Sequence, residues 1–200
     1  MYWARASRTV KRTELEPIPR RPGVGPELPA LPADPFDSRR RSVVSMAMST
    51  RAIQFLNQRR VAYEVVKYDH LEKGAEFAAQ AVGFPLSQTI KTLVVALDDR
   101  RFALALLPGD CQLSMKKIAA AYSAKRAAMA DTQTAERLTG YLVGGISPFG
   151  TPKPLPVIME IRLTACAQVL INGGRRGTML KMTPADILLV SRGRTADLVH

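Results

Sequence analysis

The sequence predicts a mixed-sheet α/β or α+β domain, and three observations carry that expectation. Apolar runs of strand length recur at 90–97, 102–107, 157–161, 167–171 and 178–182. Short helical patterns with capping residues fall between them, and the two kinds of element interleave without strict βαβ periodicity. The apolar fraction is 46%, enough for a core, while no run approaches the ~18 residues of a membrane span.

Residues 1–48 stand apart. They hold seven of the fourteen prolines, with nine basic and five acidic residues, and read as an extended, Pro/Arg-rich extension. Met46 and Met48 stand just before the first helical pattern, so translation is expected to begin at one of them. The folded domain is expected over 49–200.

In order, Ser49 or Thr50 caps a helix whose Ile53 and Leu56 recur at helical spacing. Residues 63–68 read as a strand, with Asp69-His70 turning away. A helix over 75–82 stops at Gly83 and Pro85. The runs 90–97 and 102–107, joined by D-D-R, form a hairpin signal. Ser114 caps a helix over 115–122, with Lys116 and Lys117 off its apolar stripe and facing solvent. A short apolar piece at 127–130 precedes Asp131, which caps a helix through Leu138. After a glycine- and proline-rich loop at 140–156 come strands at 157–161 and 167–171. The sequence N-G-G-R-R-G at 172–177 then reads as a second glycine turn into 178–182. Thr183-Pro184-Ala185-Asp186 opens a last helix that runs to about Val190.

The net charge is +12, from 29 basic and 17 acidic residues, which favours a polyanionic partner. Residues 1–48 contribute +4 of it, so the basic character belongs to the domain as well. Cys111 and Cys166 lie far apart among apolar or small residues and read as reduced thiols. The only histidines are His70 and His200, too few for a His/Cys metal site, and only His70 could serve a triad. A soluble, cytoplasmic protein without metal or cofactor is expected.

The chemistry therefore rests on other groups. Lys91 shares a strand face with Leu93, Val95 and Leu97; it either snorkels from the strand end or lines a pocket. Gly144 and Gly145, followed by Ser147-Pro148, either form a stiff turn or present backbone donors to a carbonyl oxygen. Gly173-Gly174-Arg175-Arg176-Gly177 is either a solvated hairpin tip or a phosphate-binding turn. Tyr68 ends a strand and either packs there or closes a pocket.

Four pieces together carry a resemblance: Y-D-H at 68–70, I-K-T-L-V-V at 90–95, T-G-Y-L-V-G-G-I-S-P-F-G at 139–150 and G-G-R-R-G at 173–177. They resemble the YbaK-type Cys-tRNA(Pro) deacylases and, more distantly, the editing insertion of bacterial prolyl-tRNA synthetases. The resemblance covers residues from about 49 to the C-terminus. It implies a mixed sheet or half-barrel with surrounding helices, acting in trans on mischarged tRNA without cofactor or metal. Carried over by position, it implies catalytic roles for Lys91 and Gly144. It likewise implies substrate contacts from Tyr68, Thr92, Gly145, Ile146, Ser147 and Pro148. Lys116, Lys117, Arg175 and Arg176 would hold the tRNA by phosphate contacts, and prolyl-tRNA synthetase is an implied partner. In the chemistry it implies, the cysteinyl thiol attacks its own ester. One departure stands out: members often carry an aspartate two residues after G-G-x-R-G, where this chain has Met179. Hydrolysis of Ala-tRNA(Pro) or another small ester by water, and a non-catalytic RNA-binding module, are the competing expectations.

Overall fold

The computed structural model describes residues 49–69, 74–98 and 100–200; the Pro/Arg-rich extension, His70 and Asp99 lie outside the described residues. β2 (Ile90–Leu97) and β3 (Arg101–Pro108) form the expected antiparallel hairpin, with Ile90 opposite Pro108 and Leu97 opposite Arg101. They are the centre of a five-stranded sheet. β4 (Ala127–Met129) adds antiparallel to β2, while β5 (Val157–Glu160) and β8 (Arg194–Ala196) add in parallel beyond β3. A second, antiparallel sheet has the order β1 (Glu64–Lys67), β7 (Thr178–Met182), β6 (Val169–Arg175). One parallel bridge, Thr89 to Leu170, joins the two sheets.

Strand alternation sends β2 side chains to two cores. Ile90 and Val94 enter the larger one with Leu104, Leu106, Phe149 and Ile171; Val95 and Leu97 enter a second with Ala105, Leu107 and Ile118. The helices close these cores. α1 (Arg51–Gln58) buries Ala52, Ile53 and Leu56, and the Thr50 hydroxyl caps it by accepting the Ile53 N–H at 3.2 Å. α2 (Ala75–Val82) stops at Gly83 in the left-handed conformation. α3 (Met115–Ala121), α4 (Thr132–Thr139) and α5 (Pro184–Ser191) start at Ser114, Asp131 and Thr183, the capping residues named from sequence. No helix among the described residues is long and apolar enough to cross a membrane. Cys111 and Cys166 are free thiols.

Two local expectations are corrected, and one strand is added. The glycines of N-G-G-R-R-G do not form a turn: Asn172 to Arg175 continue β6 through a bulge, and only Arg176-Gly177 reverses the chain. Lys117 does not face solvent freely, because its ammonium donates to both carboxylate oxygens of Asp197 at 2.9 and 2.8 Å. Residues 194–196, for which no element was expected, pair as β8, a strand too short and polar to show an apolar run.

Candidate active site

β2 is covered by β3 along its whole length on one edge only. On the other edge β4 reaches just Val95 to Leu97, and β6 makes the single bridge at Thr89. Among the described residues the strand edge is open between these attachments, and a cleft of about 410 Å³ lies there. An open edge offers both faces of a strand, so the consecutive residues Lys91, Thr92, Leu93 and Val94 all line it. Val143, Gly144 and Ile146 supply residues from the glycine-rich loop, and Asn172 comes from β6. The volume falls within the roughly 300–1,000 Å³ of small-molecule sites.

Lys91 is half-buried, and its Nζ donates to the Gly109 carbonyl at 2.9 Å. An ammonium carries three donors, so this bond fixes the side chain and leaves donors for a ligand. Of the two sequence readings of Lys91, lining a pocket is the one the structure shows.

The loop is built to hold one peptide group still. Glu136 Oε1, on α4, accepts the Val143 N–H at 2.9 Å. Arg176 grips the Val143 carbonyl with Nε at 2.9 Å and Nη2 at 2.6 Å. Upstream, Arg51 donates to the Gly140 carbonyl and lies 4.7 Å from the Tyr141 ring centroid; the Tyr141 hydroxyl donates to the Phe149 carbonyl at 2.6 Å. Gly144 has φ +91°, which disfavours any side chain there. Its N–H meets no acceptor among the described residues. That of Gly145 is committed to the Leu142 carbonyl at 2.9 Å. Of the two glycine donors named from sequence, only that of Gly144 is free.

The remaining candidates divide. Lys91, Thr92, Gly144 and Ile146 come together at the cleft. Gly145, Ser147 and Pro148 are buried behind it: the Ser147 hydroxyl accepts the Phe149 N–H at 3.4 Å, and Pro148 lines a separate cleft with Phe55 and Arg192. Tyr68 is outside the lining as well. It packs with Phe77, ring centroids 6.1 Å apart, in a small apolar cluster that includes Met179. Burial pushes its phenol up, against the Gly177 backbone contact, so it is neutral near pH 7. Met179 is 1% exposed, and a carboxylate there would face that apolar cluster. Lys116 and Arg175 are exposed, whereas Lys117 is paired with Asp197 at the surface and Arg176 is engaged with the Val143 carbonyl.

Sequence reading missed Asn172, Glu136 and the structural part of Arg176. Asn172 was absorbed into a supposed turn, although its place one residue after the apolar run 167–171 also fits a strand. Two lining residues each carry a buried oxygen with no partner, Thr92 Oγ1 and Asn172 Oδ1. An orphan of this kind costs about 1–3 kcal/mol, so each calls for a reason.

Among the described residues, the lining offers donors, and its hydroxyls are those of Thr92 and Thr132. Lys91 is, among those residues, the one titratable group of the lining. Among the described residues no cluster of His, Cys, Asp or Glu could share a metal ion. The α2 end at Gly74, which has no side-chain cap, adds positive potential beside Lys91. The arrangement suits an electron-rich oxygen held between Lys91 and the Gly144 N–H.

Known proteins with this fold give the cleft a context. The chain is 29% identical over 153 residues to a protein of Enterococcus faecalis, covering 74% of this chain and 92% of that one. That relative is named "Putative Cys-tRNA(Pro)/Cys-tRNA(Cys) deacylase EbsC". It is also 25% identical over 146 residues to the Escherichia coli K12 "Multifunctional Ser/Thr-tRNA deacylase ProXp-y", covering 71% of this chain and 87% of the other. A solved structure described as "a putative trans-editing enzyme for prolyl tRNA synthetase" superposes with TM-score 0.69 at 28% identity, covering 78% of this chain and 99% of that one. The aminoacyl-tRNA editing domain family matches residues 71–189, well over half of the sequence, and the chain belongs to that family.

Proposed function

We propose that the protein is a trans-editing deacylase that clears cysteine from mischarged tRNA(Pro), with the substrate supplying its own nucleophile. One observation carries this reading. Lys91 and Gly144 both line a cleft in which, among the described residues, there is no histidine, cysteine, serine or carboxylate, and the hydroxyls are those of Thr92 and Thr132. A cysteinyl ester needs none of these. Its thiol sulfur attacks the ester carbonyl carbon, forming a C–S bond. The C–O bond to the terminal ribose breaks, and the departing ribose oxygen takes up a proton, the thiol having given one up. The product is a thiolactone, which water then opens. Proximity in such an intramolecular step is worth on the order of 7–11 kcal/mol when well oriented.

The protein contributes orientation and charge. The Gly144 N–H faces the carbonyl oxygen as it becomes anionic, and Lys91 holds the oxygens of the terminal adenosine. The basic surface, including Lys116 and Arg175, holds the acceptor stem by phosphate contacts. Prolyl-tRNA synthetase fits as the partner that delivers the mischarged tRNA, in keeping with the wording attached to the superposed structure. The reaction belongs in the cytoplasm, where those substrates are made.

A second reading is favoured by the relative named as a Ser/Thr-tRNA deacylase and by Met179 in place of an acid. In it, the cleft hydrolyses seryl, alanyl or similar small esters with a positioned water. One panel separates the two: purified protein with Cys-, Ser- and Ala-esters of tRNA(Pro). The first reading expects release of cysteine and slowing of the seryl ester by about 10²-fold or more, the loss of an intramolecular thiol. Equal hydrolysis of the seryl and cysteinyl esters refutes it and installs the second.

A further inference from the structure

We propose that Asn172 recognises the α-ammonium group of the aminoacyl ester. This rests on the deacylase reading of the cleft and names a contact within it. The bridge between Thr89 and Leu170 draws β2 and β6 together, and Thr92 and Asn172, three and two residues farther on, both line the cleft. Each ends in a polar atom with no partner, Thr92 Oγ1 and Asn172 Oδ1. The cleft is otherwise rich in donors: Lys91, the Gly144 N–H and the open end of α2. A substrate that brings only acceptors offers nothing to an asparagine oxygen turned toward the cleft. An aminoacyl ester brings an ammonium with three N–H groups, which need acceptors.

The choice of a neutral amide is chemically apt. A carboxylate facing this cleft would pair with Lys91 and withdraw it from the ligand, whereas an amide oxygen accepts from the ammonium and leaves Lys91 free. The amide torsion of asparagine is broad and roughly two-fold, so a half-turn brings the inward-facing oxygen to the cleft. The β-bulge is placed to aim this side chain, because the register of β6 against β7 shifts between Asn172 and Arg175.

The test is direct binding, independent of turnover. Calorimetric titration compares 3′-cysteinylamino-3′-deoxyadenosine with its 3-mercaptopropionyl counterpart, which lacks only the α-amine. The wild-type protein is expected to bind the amine-bearing compound about 10–100-fold more tightly, the range of one or two hydrogen bonds to a charged group. Asn172→Ala should bring the two within about two-fold of each other by weakening the first alone. Asn172→Ser, which keeps an oxygen acceptor, should retain part of the preference and guards against a folding defect. Equal binding by the wild type, binding of neither compound, or equal weakening of both by Asn172→Ala overturns the assignment. An amine preference without hydrolysis of any aminoacyl-tRNA would leave this contact standing and remove the deacylase reading. Hydrolysis without an amine preference would do the opposite.

Discussion

Arg176 holds Val143 from behind. Two of its nitrogens, Nε at 2.9 Å and Nη2 at 2.6 Å, close on the Val143 carbonyl oxygen. The peptide that carries this carbonyl also carries the Gly144 N–H, and every described peptide is trans. In a trans peptide the two groups point in opposite directions, so the grip of Arg176 turns the Gly144 N–H away from itself. A cation on the carbonyl also polarises the N–H, making it a better donor. Arg176 therefore positions the donor without lining the cleft.

Replacing that arginine should separate catalysis from binding. Arg176→Gln removes a charged, two-nitrogen contact worth about 1.5–3 kcal/mol, and Arg176→Lys keeps the charge but not the fork. Deacylation should fall about 10–100-fold in kcat for the glutamine variant, with less change in KM. Steady-state kinetics with Cys-tRNA(Pro) measures the split. A rise in KM alone would mean that Arg176 contacts tRNA instead.

The two loop glycines should fail for different reasons. Gly144→Ala forces a side chain into φ +91° and sets its Cβ 3.2 Å from Arg176 Nε, an atom on a flexible side chain. Backbone strain of about 1–3 kcal/mol is expected, with a soluble but poorly active protein. Gly145→Ala instead places Cβ 3.0 Å from the Arg176 backbone nitrogen and 3.1 Å from the Arg175 carbonyl carbon. Neither atom can step aside without moving the β6–β7 turn. Thermal melts should rank Gly145→Ala as the less stable of the two, and the reverse order would contradict the backbone approach.

Much of the fold was legible because local chemistry agreed with it. The β2–β3 hairpin and the caps at Thr50, Ser114, Asp131 and Thr183 follow from short-range signals that tertiary contacts reinforce. Residues 172–175 did not, since adjacent glycines look alike in a turn and in a bulged strand, and β7 chooses between them. The site divides along the same line. Lys91 was visible as a charge inside an apolar run. Pairing of Lys117 with Asp197, 80 residues away, and of Arg176 with Val143, 33 away, leaves no trace in sequence spacing. Basic residues that looked equivalent thus divide into free and engaged ones.

Lys91 should be needed for turnover and dispensable for folding. Lys91→Met keeps an apolar stem along the strand edge and deletes the ammonium, leaving the Gly109 carbonyl without its 2.9 Å donor. Loss of one preorganised donor costs on the order of 10²–10³ in rate, and the melting temperature should fall only by the share of one lost hydrogen bond. Single-turnover deacylation measures the first and a thermal melt the second. Near-normal turnover by this variant would remove Lys91 from the site.

Free and engaged cations should differ in their effect on RNA. Exposed Lys116 and Arg175 are available to phosphates, so each alanine substitution should weaken tRNA binding and lower the slope of log K against log salt by about 1. Lys117→Ala should leave that slope nearly unchanged, its charge being spent on Asp197. Filter binding of tRNA between low and physiological salt gives the three slopes. A full unit lost on Lys117→Ala would show that the ion pair opens to bind RNA.

The same ion pair makes a prediction about acid. The Lys117 ammonium beside Asp197 holds its carboxyl below the usual aspartate range. A lowered folded-state pKa means that the folded chain binds fewer protons than the unfolded one as this group titrates. The contribution is therefore complete above the unfolded pKa and is lost as pH falls through the folded one. Lys117 Nζ also donates to the Val199 carbonyl at 2.5 Å, and Leu113 bridges Val199, so the carboxylate helps hold the last residues against the start of α3. Carboxyl NMR should place the Asp197 midpoint below that of an ordinary aspartate, and Lys117→Met should return it upward. In the wild type, signals of Leu198 and Val199 should begin to shift only as Asp197 becomes protonated; movement at neutral pH would mean that another group controls this segment.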